Sequence, residues 1–133
     1  MNKCFIGSNV ILYLLSGDTA KADRAEAVVA EGGIISVQVL NEVVSVCRRK
    51  LGMAWEEIDV LLVAVKSACE VLPLTVESHS RAVEIAKRYS LSFYDAHIFA
   101  SAVLCGANIL LSEDMQDGLE VEGVVVCNPF RRG

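Results

Sequence analysis

Short apolar runs, rich in Val, Ile and Leu, alternate along this chain with longer stretches whose apolar positions recur at helical spacing. The strand candidates are Lys3–Ile6, Gly33–Ser36, Glu70–Leu72, Ile109–Leu111 and Val124–Cys127. The helical stretches are Ser8–Leu15, Thr19–Glu31, Val37–Leu51, Ala54–Ala68, Thr75–Tyr89 and Tyr94–Cys105, with Gly32-Gly33 and Gly52 placed where helices end. Strands this apolar have no face to offer water. Their alternation with helices predicts an α/β fold: a parallel, five-stranded sheet flanked by helices on both faces. The 133 residues suit one domain spanning 1–133. The chain shows no repeat, linker or low-complexity segment.

A composition 53% hydrophobic and a mean hydropathy of +0.45 fit such a sheet and an apolar association surface. They do not indicate a membrane span, because the longest apolar runs, Val10–Leu15 and Val60–Val65, are six residues each. The N-terminus lacks the pattern of a secretory signal. The five cysteines, Cys4, Cys47, Cys69, Cys105 and Cys127, sit in apolar segments and form no C-x-x-C pair, as expected of buried reduced thiols in a cytoplasmic protein. A net charge of −5 argues against a basic nucleic-acid footprint. That argument fails if several acids gather at one place to hold a cation.

In a parallel sheet, ligands bind beyond the carboxyl ends of the strands, near the point where strand order reverses. The residues that follow the strands are therefore informative. Gly7, Ser8 and Asn9 follow the first; Ser36 and then Glu42 follow the second. Ser92-Phe93-Tyr94-Asp95 opens the late helix, and Ser112, Glu113, Asp114 and Asp117 follow Ile109–Leu111. No phosphate-cradling glycine motif is present. Each acid also has a structural reading. Glu42, in an apolar helix, is either desolvated or paired with Arg49 or Lys50. Asp95 fits an S-x-x-D capping box with Ser92. Ser112 can cap a turn holding Glu113 and Asp114, and Asp117-Gly118 reads as a solvated turn. His97 reads as a core or interface histidine and His79 as a solvated one. Brought together, the acids would repel by about 4 kcal/mol per close pair at an effective dielectric near 20. A hard divalent cation would offset this, and an all-oxygen set favours Mg²⁺ or Mn²⁺ over Zn²⁺.

Four segments in order, "FIGSNVILYLLSGD", "VLNEVVSV" around Glu42, "FYDAHIFASAVLCGANILLSEDMQDG" and the closing "VVVCNPF", resemble the PIN-domain family, and most closely its VapC-type toxins. The resemblance covers essentially the whole chain. It implies a single PIN-like domain and a Mg²⁺- or Mn²⁺-dependent endoribonuclease that cleaves cellular RNA, forms a homodimer and is held inactive by a cognate antitoxin. Carried over residue by residue, it makes Glu42, Asp95 and Asp114 the matched acids, with Asp117 a further or outer metal ligand and Ser8, Asn9 and Ser112 around them. The family's first Asp falls at position 7, where this chain has Gly7. A turn requiring φ > 0 would be the structural reason for a glycine there. Otherwise the site lacks a central ligand, and the expectation is a catalytically impaired toxin. The alternative is a naturally inactive PIN domain that binds RNA or a partner. A receiver-like phosphate-binding domain is a third reading, but it would want paired acids after the first strand. Arg48, Arg49 and Lys50, and at the end of the chain Arg131-Arg132, are candidates for RNA phosphates. The helix "EEIDVLLVAV" has apolar surface to spare and is expected at a dimer or antitoxin contact.

Overall fold

Consecutive strand residues are buried without alternation. Phe5 and Ile6 of β1 (Cys4–Ile6) and Ile35 of β2 (Ile34–Ser36) have no exposed surface, and Ile34 and Ser36 are also buried. Side chains that point to opposite faces can all be buried only if both faces are covered. The structure, a computed structural model, describes residues 3–131. The remaining strands are β3 (Glu70–Leu72), β4 (Ile109–Leu111), β5 (Glu120–Val121) and β6 (Val124–Cys127). The helices are α1 (Ser8–Leu12, continued by a tight turn over Tyr13–Leu15), α2 (Thr19–Ala30), α3 (Val37–Arg49), α4 (Trp55–Ala68), α5 (Val76–Tyr89) and α6 (Phe93–Leu104).

The sheet has six strands rather than the expected five, in the order β3-β2-β1-β4-β6-β5. The five expected strands run parallel; β5 pairs antiparallel with β6 and closes one edge. Only two residues, Glu122 and Gly123, join β5 to β6, and both have positive φ, 48° and 88°. That is the backbone a two-residue hairpin needs. The sequence there is Glu-Gly rather than Asn-Gly or Asp-Gly, so the turn signal was weak.

Strand order positions the site. From β1 the chain moves outward to β2 and β3, then returns to pair β4 on the other side of β1. The reversal leaves a crevice between the carboxyl ends of β1 and β4. The ladder there is in register through Ile6↔Leu111 and continues one residue further, the Gly7 N–H donating to the Leu111 carbonyl at 2.9 Å. Two helices bring side chains to this end. On α3, Val39, Val43 and Cys47 are fully buried at a four-residue spacing, fixing which face looks away from the core. On α6, everything from Ala96 to Ala102 is buried, and its small residues let it pack closely on α5.

Among the described residues no helix is long and apolar enough to cross a membrane. All five cysteines are free; Cys47 and Cys69 are buried as expected, whereas Cys4, Cys105 and Cys127 are only partly covered. Arg132 lies outside the described residues.

Candidate active site

Gly7 sits where β1 becomes α1. It is buried and extended, with φ −75° and ψ 160°. A positive φ therefore does not explain the glycine, and the turn expectation is corrected: any L-residue adopts this backbone. Space is the other possible reason. A Cβ at position 7 would lie 3.0 Å from the Leu111 carbonyl oxygen and 3.7 and 3.9 Å from Cβ and Oγ of Ser112. The first contact requires the neighbour to yield by a few tenths of an ångström. That neighbour is a backbone oxygen of β4, so a side chain at position 7 requires the Leu111 carbonyl to shift; its Cβ would lie beside Ser112.

The next two residues are tied into the site. Ser8 Oγ donates to Glu42 Oε1 at 2.7 Å, and Gln38 Nε2, one helical turn before Glu42, donates to Oε2 at 2.7 Å. Glu42 is therefore half-buried with both oxygens hydrogen-bonded by neutral groups, and it pairs with neither Arg49 nor Lys50. Gln38 escaped the sequence reading. Its position four residues before Glu42 on an amphipathic helix was the available signal. Asn9 Nδ2 donates to Ser112 Oγ at 3.1 Å, while Asn9 Oδ1 accepts from the Glu113 N–H at 3.2 Å. Ser112 is buried, accepts from the Met115 N–H at 3.4 Å as a turn cap, and donates its own N–H to the Cys127 carbonyl at 3.1 Å.

Glu113 is the anchor of this loop. It accepts from the Tyr13 hydroxyl and, at 3.0 Å, from Lys21 Nζ. Tyr13 in turn meets Phe130 edge-on at 4.6 Å. The Tyr13 hydrogen bond, aided by Lys21, holds the Glu113 carboxyl below its ordinary pKa against partial burial. Its neighbour Asp114 is exposed.

Asp95 lies in the first turn of α6. Ser92 caps that helix by accepting the Asp95 N–H at 3.2 Å, leaving the Asp95 side chain half-buried. Burial, with the Asp114 charge adding, raises the Asp95 pKa; Ser92 counters in part. The two carboxylates are thus near enough to repel. Asp95 and Glu42 line one cleft of about 570 Å³ between α3 and the start of α6, together with Gln38, Asn41, Ser45, Arg49, Ser92 and Tyr94.

The expected single convergence of acids is not met. Among the described residues, no three His, Cys, Asp or Glu side chains gather as a metal-holding group. Asp117 is engaged by other partners, accepting the Asn128 N–H at 2.9 Å and pairing with Arg131 at 2.9 Å. Two of the candidate phosphate contacts, Arg48 and Arg131, are likewise occupied. Arg48 donates to the Met53 carbonyl at 2.9 Å and lies 4.7 Å over the Trp55 ring, closing the turn between α3 and α4. Arg49 faces the cleft, with no ion pair among the described residues. His97 is buried as expected, 2.9 Å from Ser78 Oγ, and His79 is exposed.

The PIN-domain family model matches residues 4–116, which includes every strand but the closing β5–β6 hairpin. The chain belongs to the PIN-domain family. No curated protein sequence matches it significantly. Solved structures show the same fold. A toxin–antitoxin complex from Klebsiella pneumoniae matches with TM-score 0.73 at 21% identity, over 96% of this chain and 98% of that one. Mycobacterium tuberculosis VapC20, a sarcin–ricin-loop-cleaving toxin, matches with TM-score 0.69 at 22% identity, over 84% and 90%. FitAcB from Neisseria gonorrhoeae matches with TM-score 0.67 at 15% identity, over 97% and 99%.

Proposed function

We propose that the chain is a VapC-type toxin, built as a Mg²⁺- or Mn²⁺-dependent endoribonuclease and impaired because Gly7 stands where the family carries its first Asp. The observation that carries this reading is the position of Gly7. It occupies the carboxyl end of a central strand, at the switch point, on an ordinary backbone, with a side-chain direction beside Ser112. Ser8 and Asn9 follow it; Ser8 holds Glu42, and Asn9 ties down the loop that carries Asp114.

The donor set fits a hard cation in kind. Burial, with the Asp114 charge adding to it, raises the cost of ionising Asp95, and a cation would relieve it. Glu42, held by Ser8 and Gln38, would take part through an intervening water or after exchanging one of those bonds. A carboxylate at position 7 would link the two halves. When bound, Mg²⁺ or Mn²⁺ supplies a more acidic attacking water and stabilises charge at the leaving oxygen. The chain's own groups hold the site: Ser8 and Gln38 orient Glu42, Asn9 and Glu113 fix the loop of Asp114, and the N-terminus of α6 fixes Asp95. Removing one key electrostatic group commonly costs roughly 10²–10³ in rate, which is the impairment expected here.

The partners follow from the same reading: cellular RNA as substrate, a second copy and a cognate antitoxin as protein partners, in the cytoplasm. The outward face of α4 supports a protein contact, since Val60 and Val63 are 72% and 62% exposed while Ile58, Leu61 and Val65 are buried beneath. The test is Gly7→Asp. It is expected to yield divalent-dependent RNA cleavage that EDTA abolishes, and growth arrest when the variant is expressed without antitoxin. A folded Gly7→Asp chain that cuts no cellular RNA would favour the second reading, a PIN domain that binds RNA or a partner without cutting.

A further inference from the structure

The cleft beside Asp95 holds two groups that the site chemistry leaves unused. Tyr94, next in sequence to Asp95, is a large aromatic 64% exposed to solvent. Its ring is braced edge-on by Phe93, with centroids 6.2 Å apart, so a base could stack on it without much loss of side-chain freedom. Across the cleft Arg49 projects from the last turn of α3, exposed and without an ion-pair partner among the described residues. Every other residue lining the cleft is polar or acidic: Gln38, Asn41, Glu42, Ser45, Ser92 and Asp95. An apolar ligand or peptide would leave these groups unsatisfied. A chain carrying one π-face and one negative charge per unit satisfies them.

We infer that the α3–α6 cleft takes an unpaired RNA nucleotide next to the scissile position, with its base stacked on Tyr94 and its phosphate against Arg49. The inference rests on the nuclease reading and deepens it, because it names Tyr94 and Arg49 as the residues that position the substrate's base and phosphate. Stacking has no sequence preference of its own, since every base has a π-face. A base inside a duplex is already stacked on its neighbours, and Tyr94 cannot reach it. Arg49 offsets part of the repulsion that Glu42 and Asp95 exert on the backbone, which a net charge of −5 would otherwise leave unopposed.

The chain with Gly7 in place suits a binding measurement, because cleavage does not intrude. Fluorescence anisotropy with short labelled single-stranded RNA in Mg²⁺, against the same sequence closed as a hairpin stem, reads the inference directly. Single-stranded RNA is expected to bind more tightly than the stem. Tyr94→Ala is expected to weaken it about tenfold, Tyr94→Phe and Tyr94→Trp to retain it, and Tyr94→Leu to behave as Tyr94→Ala. Arg49→Ala should reduce the log–log salt slope by about 0.7, and Arg49→Lys should restore it. The inference is overturned if Tyr94→Ala or Arg49→Ala binds like the parent, if Leu serves as well as Phe, if the stem binds as tightly as the single strand, or if the parent binds no RNA. Its failure is separable from that of the nuclease reading. A cleaving Gly7→Asp chain with a flat Tyr94 series loses only this inference. A Tyr94 series as expected beside an inactive Gly7→Asp chain loses only the nuclease.

Discussion

The two walls of the site are built differently. On the wall made by α1 and the loop after β4, nearly every polar group has a fixed partner. Ser8 holds Glu42, Asn9 holds Ser112 and the Glu113 N–H, and Glu113 holds Tyr13 and Lys21. On the wall made by the end of α3 and the start of α6, Arg49 and Tyr94 stand exposed, and Asp95 is half-buried at an electrostatic disadvantage. The first wall is arranged to stay put. The second holds one carboxylate, Asp95, whose ionisation burial disfavours, and two exposed side chains open to a ligand. Such a division is what a site needs if one side fixes reacting groups and the other receives a flexible chain. Gly7 lies on the fixed wall, where β1 meets α1, and has no side chain to contribute.

Removing a group from the receiving wall should cost activity far more than stability. In a Gly7→Asp background, Asp95→Asn is expected to lower RNA cleavage by roughly 10²–10³ while leaving a cooperative thermal transition intact, as an RNA cleavage assay paired with circular dichroism would show. Comparable cleavage by the two forms would remove Asp95 from the site.

Removing a group from the fixed wall should do the opposite. Asn9→Ala deletes two hydrogen bonds in a partly buried network and is expected to destabilise the chain by about 1–3 kcal/mol in urea titration. Tyr94→Ala on the other wall should stay within about 0.5 kcal/mol. Equal losses would erase the contrast between the walls.

The smallest effect concerns charge. The folded-state pKa of Asp95 lies above its ordinary value, chiefly through burial. Folding therefore loses stability as pH rises through that raised pKa, and the cost is absent below the ordinary carboxylate range. Asp95→Asn in the chain as it stands should raise the melting temperature by about 2 °C at neutral pH, and this advantage should shrink as pH falls toward 4. A constant difference across that range would mean that the carboxylate's burial is not the cause.

How much of this was legible beforehand differs between the walls in the same way. The sheet and the helix order follow from apolar periodicity, and the positions of Gly7, Ser8 and Asn9 after β1 and of Ser112 after β4 follow from the rule about strand ends; both act along the chain. Side-chain partnerships across the chain do not. Nothing local says that Asn9 bridges to Ser112, 103 residues away, or that Asp117 is consumed by Asn128 and Arg131. Arg48 and Arg49 look equivalent in sequence. One step of 100° around α3 sends the first to Trp55 and the second to the cleft. β5 was missed because it has only two residues and its turn relies on Glu122 in a left-handed conformation.

The role of position 7 can be read most directly from Mn²⁺ titration by electron paramagnetic resonance, on the Gly7 chain, on Gly7→Asp and on Gly7→Asp with Asp95→Asn. If Gly7 marks a missing ligand, the parent binds Mn²⁺ weakly, Gly7→Asp binds it at least about tenfold more tightly, equivalent to about 1.4 kcal/mol, and the added Asp95→Asn cancels that gain. Equal affinity in the Gly7 and Gly7→Asp chains, both folded, would mean that position 7 is not a ligand position and that the impairment assigned to Gly7 has no basis.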